Sequence, residues 1–262
     1  MTFSSFAAKY RNFLLGLLSC GILIIIWFIL AEVIGSSFIL PSPVMVFRDG
    51  IKLIGEADFL KTLGATCMRG LQAFIISFFL SCFLGSMAGI FPSVSAFLKP
   101  WMSVIKSTPV VSFILIAIFW FGSSFVPVFI SILMTLPIMT GSIEEGIKNT
   151  DKKLLQMSEV YNMPGFNRFF YIRLPSTLPY LLAGAGSSLG LTWKVVIAGE
   201  ILAFPPFGLG SAMQTAKVHL ETSRVFSLTL VAIILSIITE AVFTGIVHFA
   251  TRRYTSNADN KS

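Results

Sequence analysis

The chain has 262 residues, of which 55% are hydrophobic and only 12% charged, with 26 phenylalanines and a formal net charge of +7. Soluble domains carry about 25% charged residues, so a water-soluble enzyme or binding module is excluded. The positive balance does not call for nucleic acid either, because Lys and Arg flank long apolar runs and build no aromatic-laced basic face.

Six apolar runs are candidates to cross a hydrocarbon core roughly 30 Å thick: Phe13–Ile34, Gly70–Phe91, Val104–Phe121, Phe125–Gly141, Pro179–Ala203 and Val225–Ala250. The expected class is all-α, a polytopic membrane bundle of about six transmembrane helices forming a single domain over residues 1–262. Lys9 and Arg11 precede the first run, which continues to about Ala31 and is too long for a secretory signal. It is read as an uncleaved first helix. After it, Pro41-Ser42-Pro43 leads into a mixed stretch in which Phe47, Ile51 and Ile54 recur at helical spacing, although Val46 and Leu53 blur the pattern. That stretch reads as an interfacial helix on the outer face.

Gly85 and Gly89 in the second run, and Gly186 and Gly190 in the fifth, fit the small-xxx-small spacing that lets helices approach in lipid. The fourth run is short and holds Pro127 and Pro137. Lipid cannot satisfy the backbone groups that proline frees, so this run needs neighbouring helices around it. Cys20, Cys67 and Cys82 are isolated and fit neither a disulfide framework nor a metal site. No phosphate-binding loop of the G-x-x-x-x-G-K-[ST] type occurs, so any ATP is bound by a partner and no cofactor is expected. His219 and His248 stand alone, with no nucleophile and base paired by spacing. The chain is not read as an enzyme.

Between the fourth and fifth runs lies a polar, basic loop over about 142–178. Asp151 can cap a short helix carrying Leu154, Met157 and Tyr161 on one face. Asn162 follows where a left-handed turn is needed, a conformation Asn tolerates well. Pro164 and Gly165 reinforce the break, Phe166–Tyr171 can form a second short helix, and Leu174-Pro175 is expected to end it and, with Pro179, to start the fifth span. Two short helices at a sharp turn make a knob suited to a soluble partner. With both termini in the cytoplasm, this loop and the ends bearing Lys9, Arg11, Arg252, Arg253 and Lys261 fall inside, as the positive-inside rule requires. Lys61, Arg69 and Lys217 fall outside.

Leu154-Leu155-Gln156-Met157-Ser158, then Asn162, then Ile172-Arg173-Leu174-Pro175, resemble the EAA loop of ABC importer permeases. The ungapped register places Gln156 at the Glu of that motif, Met157 and Ser158 at the two Ala, and Asn162 at the Gly. A gapped register instead uses Glu159 and Gly165. Pro41-Ser42-Pro43, and Trp193 with Glu200 seven residues on, are similar to the nitrate, sulfonate and taurine branch. Leu174–Leu182 is also similar to permeases for pyrimidine precursors of thiamine. The resemblance implies the type I ABC importer permease fold with its core over about 60–253. It also implies a bacterial inner-membrane location, a cytoplasmic ATPase subunit, a second permease copy as homodimer partner, lipid, and an external substrate-binding protein. The coupling residues it implies are Gln156, Met157, Ser158, Asn162, Gly165, Ile172, Leu174 and Pro175.

Lys194, Glu200 and Glu240 are charged positions inside apolar runs, where each ionised group costs about 2.5–3.5 kcal/mol even on the lenient insertion scale. With Trp193, they are expected to line or gate the substrate pathway; structural pairing is the plain alternative. The rival class is an ion-coupled secondary transporter working through Glu200 and Glu240.

Overall fold

The computed structural model describes residues 3–259, with side chains described for Arg11 and residues 14–247, and all its regular elements are helical. Lys261 lies outside the described residues, as do the side chains of Lys9, His248, Arg252 and Arg253. The chain divides into two compact units, one of Met1–Leu60 with Ala212–Val231 and one of Lys61–Ser211 with Ala232–Ser262.

In the first unit, α1 (Phe3–Ile34) is followed by α2 (Pro43–Ile54). Ser42 caps α2 by accepting from Met45 N–H at 3.4 Å, and Pro43 sits in the first turn, where its missing N–H costs nothing. Val46 and Leu53 form the buried face of α2, while Phe47, Ile51 and Ile54 point outward. The residues that blurred the sequence pattern are therefore the packing ones, and the regular stripe is the free face. Trp27 of α1 stacks on Phe226 and donates from Nε1 to Pro41 O at 3.1 Å. Ser227 Oγ donates to Val46 O at 2.7 Å, and Arg224 pairs with Glu56 at 2.6 Å. Ser223 donates to Asp49, and that hydrogen bond, helped by Lys52, holds the Asp49 carboxyl below the usual carboxylate range.

The second unit is built on α3 (Phe59–Ile90), α6 (Val126–Lys148) and α9 (Leu174–Ala203). Glycines set their approach. A Cβ at Gly85 or Gly89 of α3 would fall 2.8 or 2.6 Å from Ile143 or Ile147 of α6. On the other side of α6, Gly146 faces Thr177 and Tyr180 of α9, Gly184 faces Ser142, and Gly199 faces Pro127. Buried hydroxyls add hydrogen bonds across α3 and α6, with Thr135 bonded to Ser77 at 2.7 Å and Ser81 donating to Leu136 O at 3.3 Å. Ile114 and Ala117 of α5 (Val110–Trp120) join Val126, Ile130 and Val195 in an apolar cluster. The first glycine pair thus meets the expected helix contact. Gly186 and Gly190 meet a helix as well, facing Phe243 and Glu240 of α11 (Thr222–Asp259).

Among the described residues, five helices are long and apolar enough to cross a membrane, or six if one bent pair counts as a broken span. That pair corrects the expected third span. α4 (Pro92–Ser107) and α5 meet at 100°, so Val104–Phe121 is not one straight crossing. Thr108, with ψ 133°, precedes Pro109, whose ring excludes the helical conformation from the residue before it.

The start of the fifth span is corrected as well. α8 (Gly165–Arg168), a π turn over Phe169–Arg173 and α9 run on without the break expected at Leu174-Pro175. Leu174 N–H reaches back five residues to Phe169 O, and Pro175 falls in the first turn of α9, where it breaks no bond. Ser176 and Thr177 hydroxyls return to the Ile172 and Arg173 carbonyls at 2.8 and 2.7 Å.

The glycine contacts yield a direct test of packing. A Cβ at Gly199 would sit 2.8 Å from Pro127 Cα, a backbone atom that cannot swing aside, whereas a Cβ at Gly141 meets nothing within 4 Å. Gly199→Ala should destabilise the protein by about 1–3 kcal/mol through overpacking. Gly141→Ala should be neutral or stabilising, since Ala is the better helix former by about 1 kcal/mol. Thermal unfolding of both variants in detergent measures the difference; equal midpoints would contradict the tight α6–α9 approach.

Candidate functional site

The loop between α6 and α9 is a small built object. Asp151 accepts from Lys153 N–H at 2.8 Å and starts α7 (Lys152–Val160). The helix is closed by Asn162 at φ +50°. Asn162 N–H bonds to Glu159 O at 3.0 Å and Met163 N–H to Ser158 O at 2.9 Å, the paired bonds of a Schellman cap around a left-handed residue. The turn therefore stands at Asn162. Gly165 has no positive φ and opens α8 with free space around it. An ion pair from Arg168 to Glu159 at 3.3 Å bridges the two short helices.

The expected coupling residues divide by exposure. Gln156, Met157, Asn162, Gly165, Leu174 and Pro175 are exposed, while Ser158 and Ile172 are buried and hold the knob together. Ser158 Oγ donates to Leu155 O at 2.6 Å. Leu154, Met157, Val160, Tyr161, Phe166 and Tyr171 all remain uncovered. So much apolar surface on a polar loop is the mark of an interaction site.

A second constellation lies where α9 ends. Glu200 is fully buried and pairs with Arg69 Nη1 at 2.6 Å. Thr66 Oγ1 donates to the same carboxylate at 2.9 Å and accepts from Leu209 N–H at 2.8 Å, and Gly210 N–H donates to Glu200 Oε2 at 3.0 Å. Arg69 also donates to Phe207 O at 2.7 Å and, through Nε, to Ser124 O at 3.2 Å. Phe204, at φ +50°, ends α9, and a loop then leads to α10 (Leu209–Val218). A Cβ at Gly208 would fall 2.6 Å from the Glu200 carboxyl carbon, so the loop passes directly over the ion pair.

Arg69 and Thr66 are the residues the sequence argument missed. Hydropathy alone puts Arg69 in an outer loop, because the apolar run begins at Gly70; α3 in fact begins at Phe59. The available signal was Glu200 itself, since a carboxylate within a span needs a counter-charge.

The remaining expected pathway residues lie elsewhere. Trp193 is buried, its ring filling the space at Gly70 of α3, and its Nε1 has no hydrogen-bond partner. Lys194 is exposed. Glu240 is exposed too, accepts from Ser236 Oγ at 3.3 Å, and lies over Gly190, where a Cβ would come within 2.6 Å of its Oε1. Ala183, Ser187 and Lys194 are uncovered and Gly190 is half-buried, in one helical stripe on α9. The uncovered face of α11 reads differently, with Ile233, Ile234, Ile237, Ile238, Val242 and Ile246. Lipid suits the second face and not the first.

Residues 79–255 match the family described as binding-protein-dependent transport system inner membrane component. The taurine transport system permease protein TauC of Escherichia coli is 23% identical over 235 residues, spanning 86% of this chain and 84% of its own. The formylaminopyrimidine transport permease protein ThiX of Halalkalibacterium halodurans is 29% identical over 212 residues, spanning 78% and 82%. The fold matches a crystal structure of an amino acid ABC transporter with histidines at a TM-score of 0.58 and 15% identity, covering 74% of this chain and 92% of that one. The chain belongs to this family: it is a permease subunit of a binding-protein-dependent ABC importer, an inner-membrane transport component that works with an ATPase and a substrate-binding protein and is not itself an enzyme.

Proposed function

We propose that the α9 stripe of Ala183, Ser187, Gly190 and Lys194 lines the translocation pathway, and that the solute is a small organic sulfonate. The observation that carries this is Lys194. It is an exposed cation within a membrane span, on a stripe free of large apolar side chains. Facing lipid it would be costly; facing a water-filled path it supplies a counter-charge for an anion. Glu240 forms the neighbouring wall at Gly190, and Trp193 and Glu200 support the stripe from behind. The name of the taurine permease relative agrees with a sulfonate group on the solute, since taurine, a zwitterion, carries one for Lys194 to meet. The second reading, a pyrimidine precursor of thiamine, draws on the formylaminopyrimidine permease relative.

The whole chain serves as one permease domain, paired with a second copy so that two stripes enclose the path. The knob over 142–178, with Gln156, Met157, Asn162, Gly165, Leu174 and Pro175 on its surface and Ser158 and Ile172 inside it, receives the ATPase. Both termini are cytoplasmic in this arrangement. Ion-coupled transport through Glu200 and Glu240 is not favoured, since family membership assigns the energy source to an ATPase.

The test is uptake of labelled taurine and labelled formylaminopyrimidine by the assembled importer in vesicles. Lys194→Gln should lower taurine uptake about ten- to hundredfold, the loss expected for one charge-assisted contact, while leaving ATPase assembly intact. Uptake of the pyrimidine and not the sulfonate by the wild type would overturn the substrate reading. Undiminished uptake by Lys194→Gln would remove Lys194 from the path.

A further inference from the structure

α4 sits at the coupling-loop end of the second unit. Ser95 of α4 donates to Glu144 near the end of α6 at 2.6 Å, and Lys148 bonds both Ser95 and Glu144. The helix turns 100° away from α5. The two helices therefore do not share one axis, and α4 presents its own faces separately from α5.

Its side chains sort into three arcs at helical spacing. Leu98, Met102 and Ile105 are half-buried toward the protein. Phe97, Trp101 and Val104 form an uncovered apolar arc, exposed by 67, 62 and 58%. Lys99 and Lys106 are exposed on the remaining side, and α4 contains no acidic residue. These three arcs suit protein, acyl chains and headgroups respectively, the division expected of a helix lying in the interface. Lys99, Lys106 and Lys148 also line a cavity of about 380 Å³ between α4 and α6, whose wall carries one carboxylate, Glu144. Glu144 is engaged by Lys148, and neither Lys99 nor Lys106 forms an ion pair among the described residues.

We propose that α4 is an interfacial helix whose Lys99 and Lys106, with the cavity beside Lys148, hold the headgroup phosphate of an anionic phospholipid. Phe97, Trp101 and Val104 seat the helix among the acyl chains of the same leaflet. The two halves of α4 match the two halves of one lipid. That match selects a phospholipid over a soluble anion, which would leave the apolar arc unsatisfied. Basic pockets beside transmembrane helices on the cytoplasmic side recognise such headgroups, and each surface lysine contributes about fivefold in affinity. A lipid held there bears on the end of α6 that continues into α7, so the leaflet's composition reaches the coupling knob. The assignment to the cytoplasmic leaflet rests on the orientation proposed above; the binding itself does not.

The test uses the full chain purified with its ATPase subunit in detergent and incubated with equal amounts of phosphatidylglycerol and phosphatidylcholine. Co-purified lipid is counted by mass spectrometry. The wild type should retain phosphatidylglycerol in excess, and K99Q/K106Q should lower that retention by about 25-fold. Trp101→Ser should weaken retention of both lipids. Equal retention of the two lipids by the wild type, or unchanged retention by K99Q/K106Q, would overturn the proposal. Displacement of the phosphatidylglycerol by inorganic phosphate would assign the lysines to a soluble anion instead. Loss of the ATPase from K99Q/K106Q with lipid retention intact would assign them to the partner subunit. None of these outcomes involves transport, so the pathway reading stands or falls separately.

Discussion

Glu200→Ala should be among the most destabilising single substitutions in this protein. The carboxylate is fully buried and receives Arg69, Thr66 and the Gly210 N–H at 2.6 to 3.0 Å. Removing it leaves the Arg69 guanidinium buried beside two orphaned donors. Breaking a buried ion pair from one side costs about 3–5 kcal/mol, because the surviving charge has lost its compensation. Glu200→Gln keeps the shape and can still accept from Thr66, so it should fall between the two. Arg69→Met combined with Glu200→Leu should recover part of the loss by removing both charges. The recovery should be incomplete, since Arg69 also satisfies the Phe207 and Ser124 carbonyls. Unfolding in detergent, followed for both singles and the double, gives the coupling. Additive losses would mean that the two groups do not interact, and wild-type stability of Glu200→Ala would dismiss the ion pair altogether.

This ion pair also marks the limit of what the chain's order alone discloses. The five long apolar helices, the short helix after the first of them and the two-helix loop before α9 are legible in sequence because each depends on local hydrophobicity and turn chemistry. The partnership of Arg69 with Glu200 joins residues 131 apart in the chain. Hydropathy ends the apolar run one residue short of Arg69, although α3 continues past it for almost three further turns. The bend at Thr108 was legible in principle, since Pro109 restricts the residue before it. The π turn before α9 was not, because nothing in Phe169–Arg173 distinguishes bonding to the fifth residue back from bonding to the fourth.

The uncovered faces divide the second unit by chemistry. α11 presents isoleucine and valine, α9 presents small residues and a lysine, and α4 presents tryptophan and lysines on separate arcs. Lipid, solute path and membrane surface are three different solvents. On the reading proposed above, a helix goes to each by which groups it leaves unpaired in that solvent. On this reasoning the α6–α9 contact is the fixed frame. The knob that joins those same two helices is the natural place for force to enter, since a displacement of α7 acts on the ends of both.

Asn162→Val tests that mechanical role. Asn162 holds φ +50° at the end of α7, and the two Schellman hydrogen bonds depend on that conformation. A β-branched residue resists it, at about 1–2 kcal/mol, and would let α7 unwind or turn at another angle. Asn162→Gly adopts the same conformation freely and should leave the knob intact. The knob is exposed, so the rest of the fold should survive both changes with little loss of thermal stability. What should change is coupling: with Asn162→Val the ATPase should detach, or hydrolyse ATP without response to the substrate-binding protein, and uptake should fall to a small fraction of that with Asn162→Gly. ATP hydrolysis and uptake measured on the same reconstituted vesicles separate the two failures. If the valine and glycine variants transport equally well, force enters the permease somewhere other than this turn.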